Sequence, residues 1–448
     1  MTIDATPSIT RKEPAEHALG GAPFVPQPKS VEETGLDLSL LVDLLLKTIY
    51  FSGRPSGRQL AEELALSYYV VEEIIGFLRQ EQALEVVGSA GMGEQAYQYA
   101  LTKRGTDRTE EALGRNHYIG PAPVPFELYT EVLQRQSVGQ AQIERQTFLD
   151  AVAHLVLSRS TLAALGPAAN SGSSVLIYGE SGNGKTAIAQ AMAAMLPGEV
   201  LIPFAVETHG QIIKVFDPRL HRQVRPENGR RPDRAAGPGE SRPDRRWVVT
   251  KRPVVSAGGE LTLQDLELRY SSLSKFYIAP LQWKANSGVL IIDDFGRQMM
   301  QPQELLNRWI VPMEERVDHL TLHTGDTIRL PFELLLIFST NIPPGQLGDE
   351  AFFRRIRHKV EVPGPTREEF ETILRQVCEE REIAYTEEGS RYLIETYYVQ
   401  NNREFKGCHP RDIVELLIDI TRFYGEEPIL TPEWIDLASA SYYVEIDD

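Results

Sequence analysis

Cysteine is nearly missing from this chain: Cys378 and Cys408 are the two cysteines in 448 residues. They supply neither a disulfide framework nor the spacing of a zinc site, and they fit a reducing compartment. Also absent is any apolar run near the ~18 residues that a membrane span requires. The first residues show no basic stretch followed by an apolar one, so a secretory signal is not expected and a cytoplasmic protein without membrane contact is. A basic excess is lacking as well. The net charge is −17, which excludes a general nucleic-acid coat and leaves such contact only to a local basic patch. What is present is ordinary for a folded chain: 42% hydrophobic residues, over a length that holds two or three domains.

The stretch that organises the rest runs from Ser173 to Leu196. An apolar run, Val175-Leu176-Ile177-Tyr178, has the length of a buried parallel strand. Gly179, Glu180, Ser181, Gly182, Asn183, Gly184, Lys185 and Thr186 follow, and then an Ala-rich helical segment to Leu196. This is GxxxxGK[ST] in a strand-loop-helix setting. Its glycines let backbone N–H groups turn inward on a polyphosphate, and the helix behind adds the positive end of its dipole. Lys185 is expected to reach the outer phosphates and the Thr186 hydroxyl to ligate Mg²⁺, so ATP and Mg²⁺ are the expected cofactors.

Ahead of this stretch, residues 1–31 are rich in Pro, Ala and polar residues and read as a disordered tail or extended arm. Residues 32–115 read as three helices and a hairpin. Ser56 and Ser67 cap the second and third helices, and Val70, Val71, Ile74, Ile75 and Leu78 point inward from the third. Leu84 to Val87 and then Tyr97, Tyr99 and Leu101 alternate as two strands. This order resembles a winged helix-turn-helix domain, an α+β unit whose third helix usually enters the DNA major groove. Here that helix carries Glu72, Glu73 and Glu81 against a single Arg79. Phosphate repulsion therefore disfavours DNA, with Arg54 and Arg58 as the few available cations. Residues 116–136 read as a Pro-rich linker with a short helix.

Behind the P-loop helix, the apolar runs 200–206 and 212–216 read as a strand or hairpin, punctuated by Gly210. Residues 218–246 hold Arg219, Arg222, Arg225, Arg230, Arg231, Arg234, Arg242, Arg245 and Arg246 and almost no large apolar residue. They are expected to form a mobile basic insertion, either a grip for an acidic polymer or a solvated loop. Gly288 to Ile292 is a buried strand ending in Asp293 and Asp294. Asp293 fits the Mg²⁺-holding carboxylate. After Leu305–Val317 and a hairpin to Leu330, a further buried strand, Leu334 to Thr340, ends in Asn341. Asp349 to Ile356 then includes Arg354 and Arg355. Residues 363–448 are helical, with Cys408-His409-Pro410-Arg411-Asp412 opening the third helix.

Together these residues resemble an AAA+ ATPase over residues 137–448, and the block 313–331 looks most like the MoxR-type branch of chaperone-like remodelling ATPases. The resemblance implies an α/β fold, a parallel sheet flanked by helices over residues 137–362, followed by a helical lid. Asp294 stands where the family usually has Glu to activate water, one methylene shorter, which puts the hydrolysis rate in question. Asn341 matches the sensor-one position. Arg355, then Arg354, matches the arginine finger, which works in trans and implies a homo-oligomer, usually a hexamer. Arg411 matches the sensor-two arginine of the lid, and the Ser137-Val138-Gly139-Gln140 segment that of the adenine pocket. His409 reads as structural. Three functions follow: remodelling of a protein client, an ATP-regulated DNA-binding protein, or a slow nucleotide switch.

Overall fold

The computed structural model describes residues 21–224, 241–347 and 350–443, with backbone alone for 350–352. The expectations for residues 1–20 and for Arg225, Arg230, Arg231, Arg234 and Asp349 lie outside the described residues.

The N-terminal module comprises α1 (Leu38–Ser52), α2 (Gly57–Glu63), α3 (Tyr68–Gln80), β1 (Leu84–Ser89), β2 (Tyr97–Leu101) and α4 (Lys103–Arg115). Ser56 caps α2 in a full capping box with Gln59, and the Ser67 side chain caps α3. Val70, Val71, Ile74 and Leu78 are all 0% exposed, as a period of 3.6 demands of one helix face. β1 and β2 pair antiparallel. The arm at 21–31 is extended and packed: Ser67 Oγ donates to the Pro28 carbonyl (2.7 Å), and Val31 N donates to Glu73 Oε2 on α3 (2.9 Å).

Residues 116–136 depart from the expected linker. β3 (Val124–Pro125) and α5 (Phe126–Arg135) bury Val124, Tyr129, Val132 and Leu133. That much apolar surface has to be covered, so the segment is part of a core. α6 (Arg145–Val152) and α7 (Arg159–Asn170) lead to β4 (Ser174–Tyr178) and α8 (Lys185–Ala194).

Next come β5 (Glu199–Pro203), β6 (Ala205–Thr208), β7 (Gln211–Lys214), β8 (Trp247–Lys251) and β9 (Val254–Ala257). They are followed by β10 (Arg269–Ser271), β11 (Phe276–Ile278), α9 (Leu281–Lys284), β12 (Val289–Ile292), α10 (Pro302–Glu315), β13 (Val317–Thr321) and β14 (Thr327–Pro331). β15 (Leu335–Thr340), α11 (Pro344–Leu347), α12 (Glu350–Arg355) and β16 (His358–Glu361) complete this part. The C-terminal unit is α13 (Arg367–Glu380), α14 (Glu387–Leu393), extended by a π-turn segment at Ile394–Val399, then α15 (His409–Tyr424) and α16 (Pro432–Tyr442).

The central sheet has the order β16-β4-β15-β12-β9 and is parallel throughout. Alternation divides its side chains between two faces. Val175, Ile177, Val289, Ile291, Leu335 and Ile337 face α7 and α8. Leu176, Leu290, Ile292, Leu336 and Phe338 face Leu305, Leu306 and Trp309 of α10. The edge strand β9 was not anticipated. The runs at 200–206 and 212–216 supply β5, β6 and β7 instead, with a two-residue hairpin turn at His209 (φ 52°) and Gly210 (φ 71°). Both turn residues have positive φ, as a tight hairpin requires.

A second sheet, β10-β11-β7-β6-β3, lies between the N-terminal module and the central sheet. Ala205, Ile212 and Phe276 join the core of the N-terminal helices. Leu320, Leu322, Ile328 and Leu330 of the β13–β14 hairpin join the core on the sheet's other side. At the hairpin's end, the His323 ring stacks on Tyr270 (4.2 Å between centroids), and Tyr277 Oη hydrogen-bonds to His323 Nδ1.

The basic insertion is also corrected at its C-terminal flank. Arg246 is 1% exposed, paired with Asp244 (2.9 Å), and it donates to the Thr34 and Pro123 carbonyls. Arg245 donates to the carbonyls of Ala61 and Leu66 beside α2. These two guanidinium groups donate to backbone carbonyls of separate segments and so fasten the modules together. Arg246→Ala leaves Asp244 buried without its counterion. Stability in urea melts is expected to fall by about 3–5 kcal/mol, and Arg246→Met combined with Asp244→Leu to recover most of it. A loss below about 1 kcal/mol would mean that water reaches the pair.

Candidate active site

The parallel sheet brings the polar ends of three strands side by side. β15 runs between β4 and β12, so the loop after β4 and the carboxylates after β12 flank Asn341. Ligands bind at such C-terminal strand ends because the connecting loops diverge there. Thr186 Oγ1 donates to Asp293 Oδ2 at 2.9 Å. Lys185 is 7% exposed, and its Nζ donates to the Glu180 carbonyl (2.8 Å), curling the loop on itself. Burial pushes the Lys185 ammonium below its ordinary value, while Asp294 and then Asp293 pull the other way. Both carboxylates therefore lie within electrostatic reach of the lysine.

The loop's shape depends on glycine. Gly182 (φ 85°) and Gly184 (φ 81°) are left-handed. A Cβ at Gly182 would come within 2.5 Å of Cys408 Sγ, so this approach excludes any side chain. Asp294 is itself left-handed, with φ 48°, and exposed. Its N–H donates to Asp293 Oδ1 (3.1 Å). Asn341 Oδ1 is buried and has no hydrogen-bond partner. An orphaned buried acceptor at this place calls for a donor such as an ordered water.

The C-terminal unit closes over the loop. Gly407 N donates to Asn183 Oδ1 (3.3 Å), and Lys406 Nζ pairs with Glu180 Oε2 (3.4 Å). Arg411 is exposed in the first turn of α15, three residues beyond Cys408. Beside the loop, Val156, Leu157, Thr161, Val362, Ile373 and Gly407 line a small recess.

Ser137–Gln140 does not belong to that recess. Ser137 Oγ hydrogen-bonds to Glu333, and Gly139 abuts Gly172, at the opposite ends of β15 and β4 from the loop. The residues before α7 line the recess instead, and no motif marks them in the sequence.

Arg354 and Arg355 are also remote from this chain's own loop. Ser174 Oγ at the start of β4 donates to the Arg355 carbonyl (3.2 Å), and the loop leaves the other end of that strand, roughly 17 Å away. Arg355 Nε pairs with Glu314 Oε1 on α10 (2.6 Å), and Arg354, one residue before it on α12, is exposed.

The residues fit Mg²⁺ with a polyphosphate. The ion takes one or two protein oxygens and completes its shell with phosphate and water; Thr186 and Asp293 offer two adjacent oxygens. Among the described residues no group of three His, Cys, Asp or Glu side chains converges on a metal position.

A family profile described as a domain of unknown function (DUF8689) matches residues 366–441, the C-terminal helical unit. Among curated proteins none matches. Of solved structures, NtrX from Brucella abortus in complex with ADP is similar at 17% identity and a TM-score of 0.38. That likeness covers 74% of this chain and 65% of that one. The Thermotoga maritima RuvB Holliday junction branch migration motor is similar at 12% identity and a TM-score of 0.35, over 67% of this chain and 70% of that one. This chain thus spans just under two thirds of the NtrX chain.

His409, next to the lid contact, is 9% exposed, and its Nδ1 bonds Tyr398 Oη (2.9 Å). Burial, with Lys406 and Arg403 nearby, pushes it down to about 4. The unfolded chain binds this proton more readily, so its contribution is present above pH ~6.5 and lost as pH falls toward 4. Urea melts should show roughly 1–2 kcal/mol of acid destabilisation from this group after allowance for screening. His409→Gln should flatten that slope; an unchanged slope would assign it to other groups.

Proposed function

We propose that this chain is an AAA+ ATPase that hydrolyses Mg-ATP at the boundary between subunits and uses the cycle to remodel a protein client. The observation that carries the reading is the 2.9 Å contact of Thr186 with Asp293, beside a curled P-loop and with Asn341 on the strand between them. In this reading the P-loop amides and Lys185 hold the phosphates. Thr186 and Asp293 hold Mg²⁺, which supplies charge neutralisation when bound. Asp294 takes a proton from the attacking water, and Asn341 orients that water. The recess beside Leu157 and Ile373 receives the base, and Arg411 reaches in from the lid. Arg355, with Arg354 as the second candidate, serves the neighbouring subunit's phosphates, a reading supported by the distance of both from their own loop. The ring is hexameric by the same resemblance.

A protein client is favoured over DNA by the N-terminal module. The arm at 28–31 already occupies the start of α3, and burial together with the neighbouring Glu94 pushes the Glu72 carboxyl above its ordinary value. A salt-dependent DNA shift abolished by Arg54→Glu with Arg58→Glu would reverse that preference.

Lys185→Ala is expected to lose ATP turnover at least 100-fold, roughly 3 kcal/mol of transition-state stabilisation, measured by phosphate release. Normal turnover in that variant would end the assignment. Arg355→Ala should keep nucleotide affinity and lose turnover, and mixing it with Lys185→Ala protein should restore part of the activity through hybrid boundaries. No restoration at any mixing ratio would count against a shared site. A rise in turnover on Asp294→Glu would identify the wild-type chain as a slow switch.

A further inference from the structure

The turn after β12 contains a buried polar side chain to which the mechanism above gives no role. Gln298 is 8% exposed. Its Oε1 accepts from Gly296 N (2.8 Å), and its Nε2 donates to the carbonyls of Asp293 (3.1 Å) and Asp294 (3.3 Å). The same nitrogen lies 3.5 Å from the carbonyl of Gly258, just beyond β9. One amide thus ties together both carboxylate-bearing residues, the turn after them and the neighbouring strand end.

The backbone held in this way is unusual. Asp294 has φ 48°, a left-handed conformation that costs an L-residue energy and persists only where its surroundings impose it. Arg297 N also donates to the Asp294 carbonyl (2.9 Å), closing the turn beneath it. An aspartate reaches roughly 1.5 Å less far than a glutamate, so where its carboxylate falls depends more on the backbone than on side-chain torsions. Asp293 is steadied by Thr186 and by the Asp294 amide; the peptide leading out of Asp294 is steadied by Gln298.

We propose that Gln298 is the positioning residue for Asp294: it holds the left-handed turn from which the short carboxylate reaches the attacking water. This rests on the reading of Asp294 as the group that activates water. An error of about 1 Å at such a group is enough to cost ~100-fold in rate.

The test is a double-mutant cycle on the full chain, with steady-state ATP turnover, affinity for a fluorescent ADP analogue and thermal melting as readouts. Gln298→Met removes both donations at similar volume. It is expected to lower kcat about 10- to 100-fold while KM and analogue affinity stay within about twofold. In an Asp294→Asn background the same change should alter the residual kcat by less than about twofold, because the group it positions is already gone. If Gln298→Met melts early, Gln298→Asn, which keeps the amide but withdraws it by one carbon, is judged by the same criteria. Wild-type kcat in the Gln298 variants, or an equal fold-loss in both backgrounds, overturns the positioning role and leaves the ATPase reading intact. Wild-type turnover no higher than that of Lys185→Ala overturns both.

Discussion

The hydrogen bond between Thr186 and Asp293 depends on two strands ending at the same height with a third between them. β4 and β12 are not neighbours; each pairs with β15, and the in-register parallel ladders set where their last residues stand. Hydrophobic packing on both faces fixes that register, because a slip by one residue would turn every Val, Ile and Leu of the strand to the wrong side. The chemistry at the sheet's upper edge therefore inherits its geometry from the burial of residues such as Ile177, Ile291 and Ile337, which take no part in it.

The loop of 179–186 was legible because everything it needs is contiguous. Glycines, lysine, threonine, the strand before and the helix after sit within about two dozen residues. Asp293 and Asn341 were legible for a related reason: each follows closely on an apolar run, Asp293 directly and Asn341 after Ser339 and Thr340, where a buried strand ends. The second sheet was not. Its strands are two to four residues long, and it joins β3 to β6 and β11 to β7 across long stretches of chain. Such pairings leave no local period. β9 is similarly short, four residues after Arg252 and Pro253.

Arg245 and Arg246 show a different limit. In sequence they end a run of arginines among Pro, Gly and Asp, and composition assigns them to solvent. Arg246 is buried and Arg245 half-buried because they donate to carbonyls at Thr34, Ala61, Leu66 and Pro123, and nothing near Arg246 in the sequence points to those positions. The position of Ser137–Gln140 at the far end of the sheet depends on geometry that the sequence does not carry. A segment ahead of a strand can lie at either end of the sheet, and which end depends on the path of α6 and α7. Gln298 carries no motif; its role emerges only when the turn is seen folded around its amide.

The stacking of His323 on Tyr270 of the accessory sheet has a mechanical meaning. The β13–β14 hairpin follows α10 directly, and its four buried apolar residues are shared with that sheet, so it is a rivet and not a free finger. A displacement of α10 would carry the accessory sheet along, and with it the helices that pack on the sheet's other face.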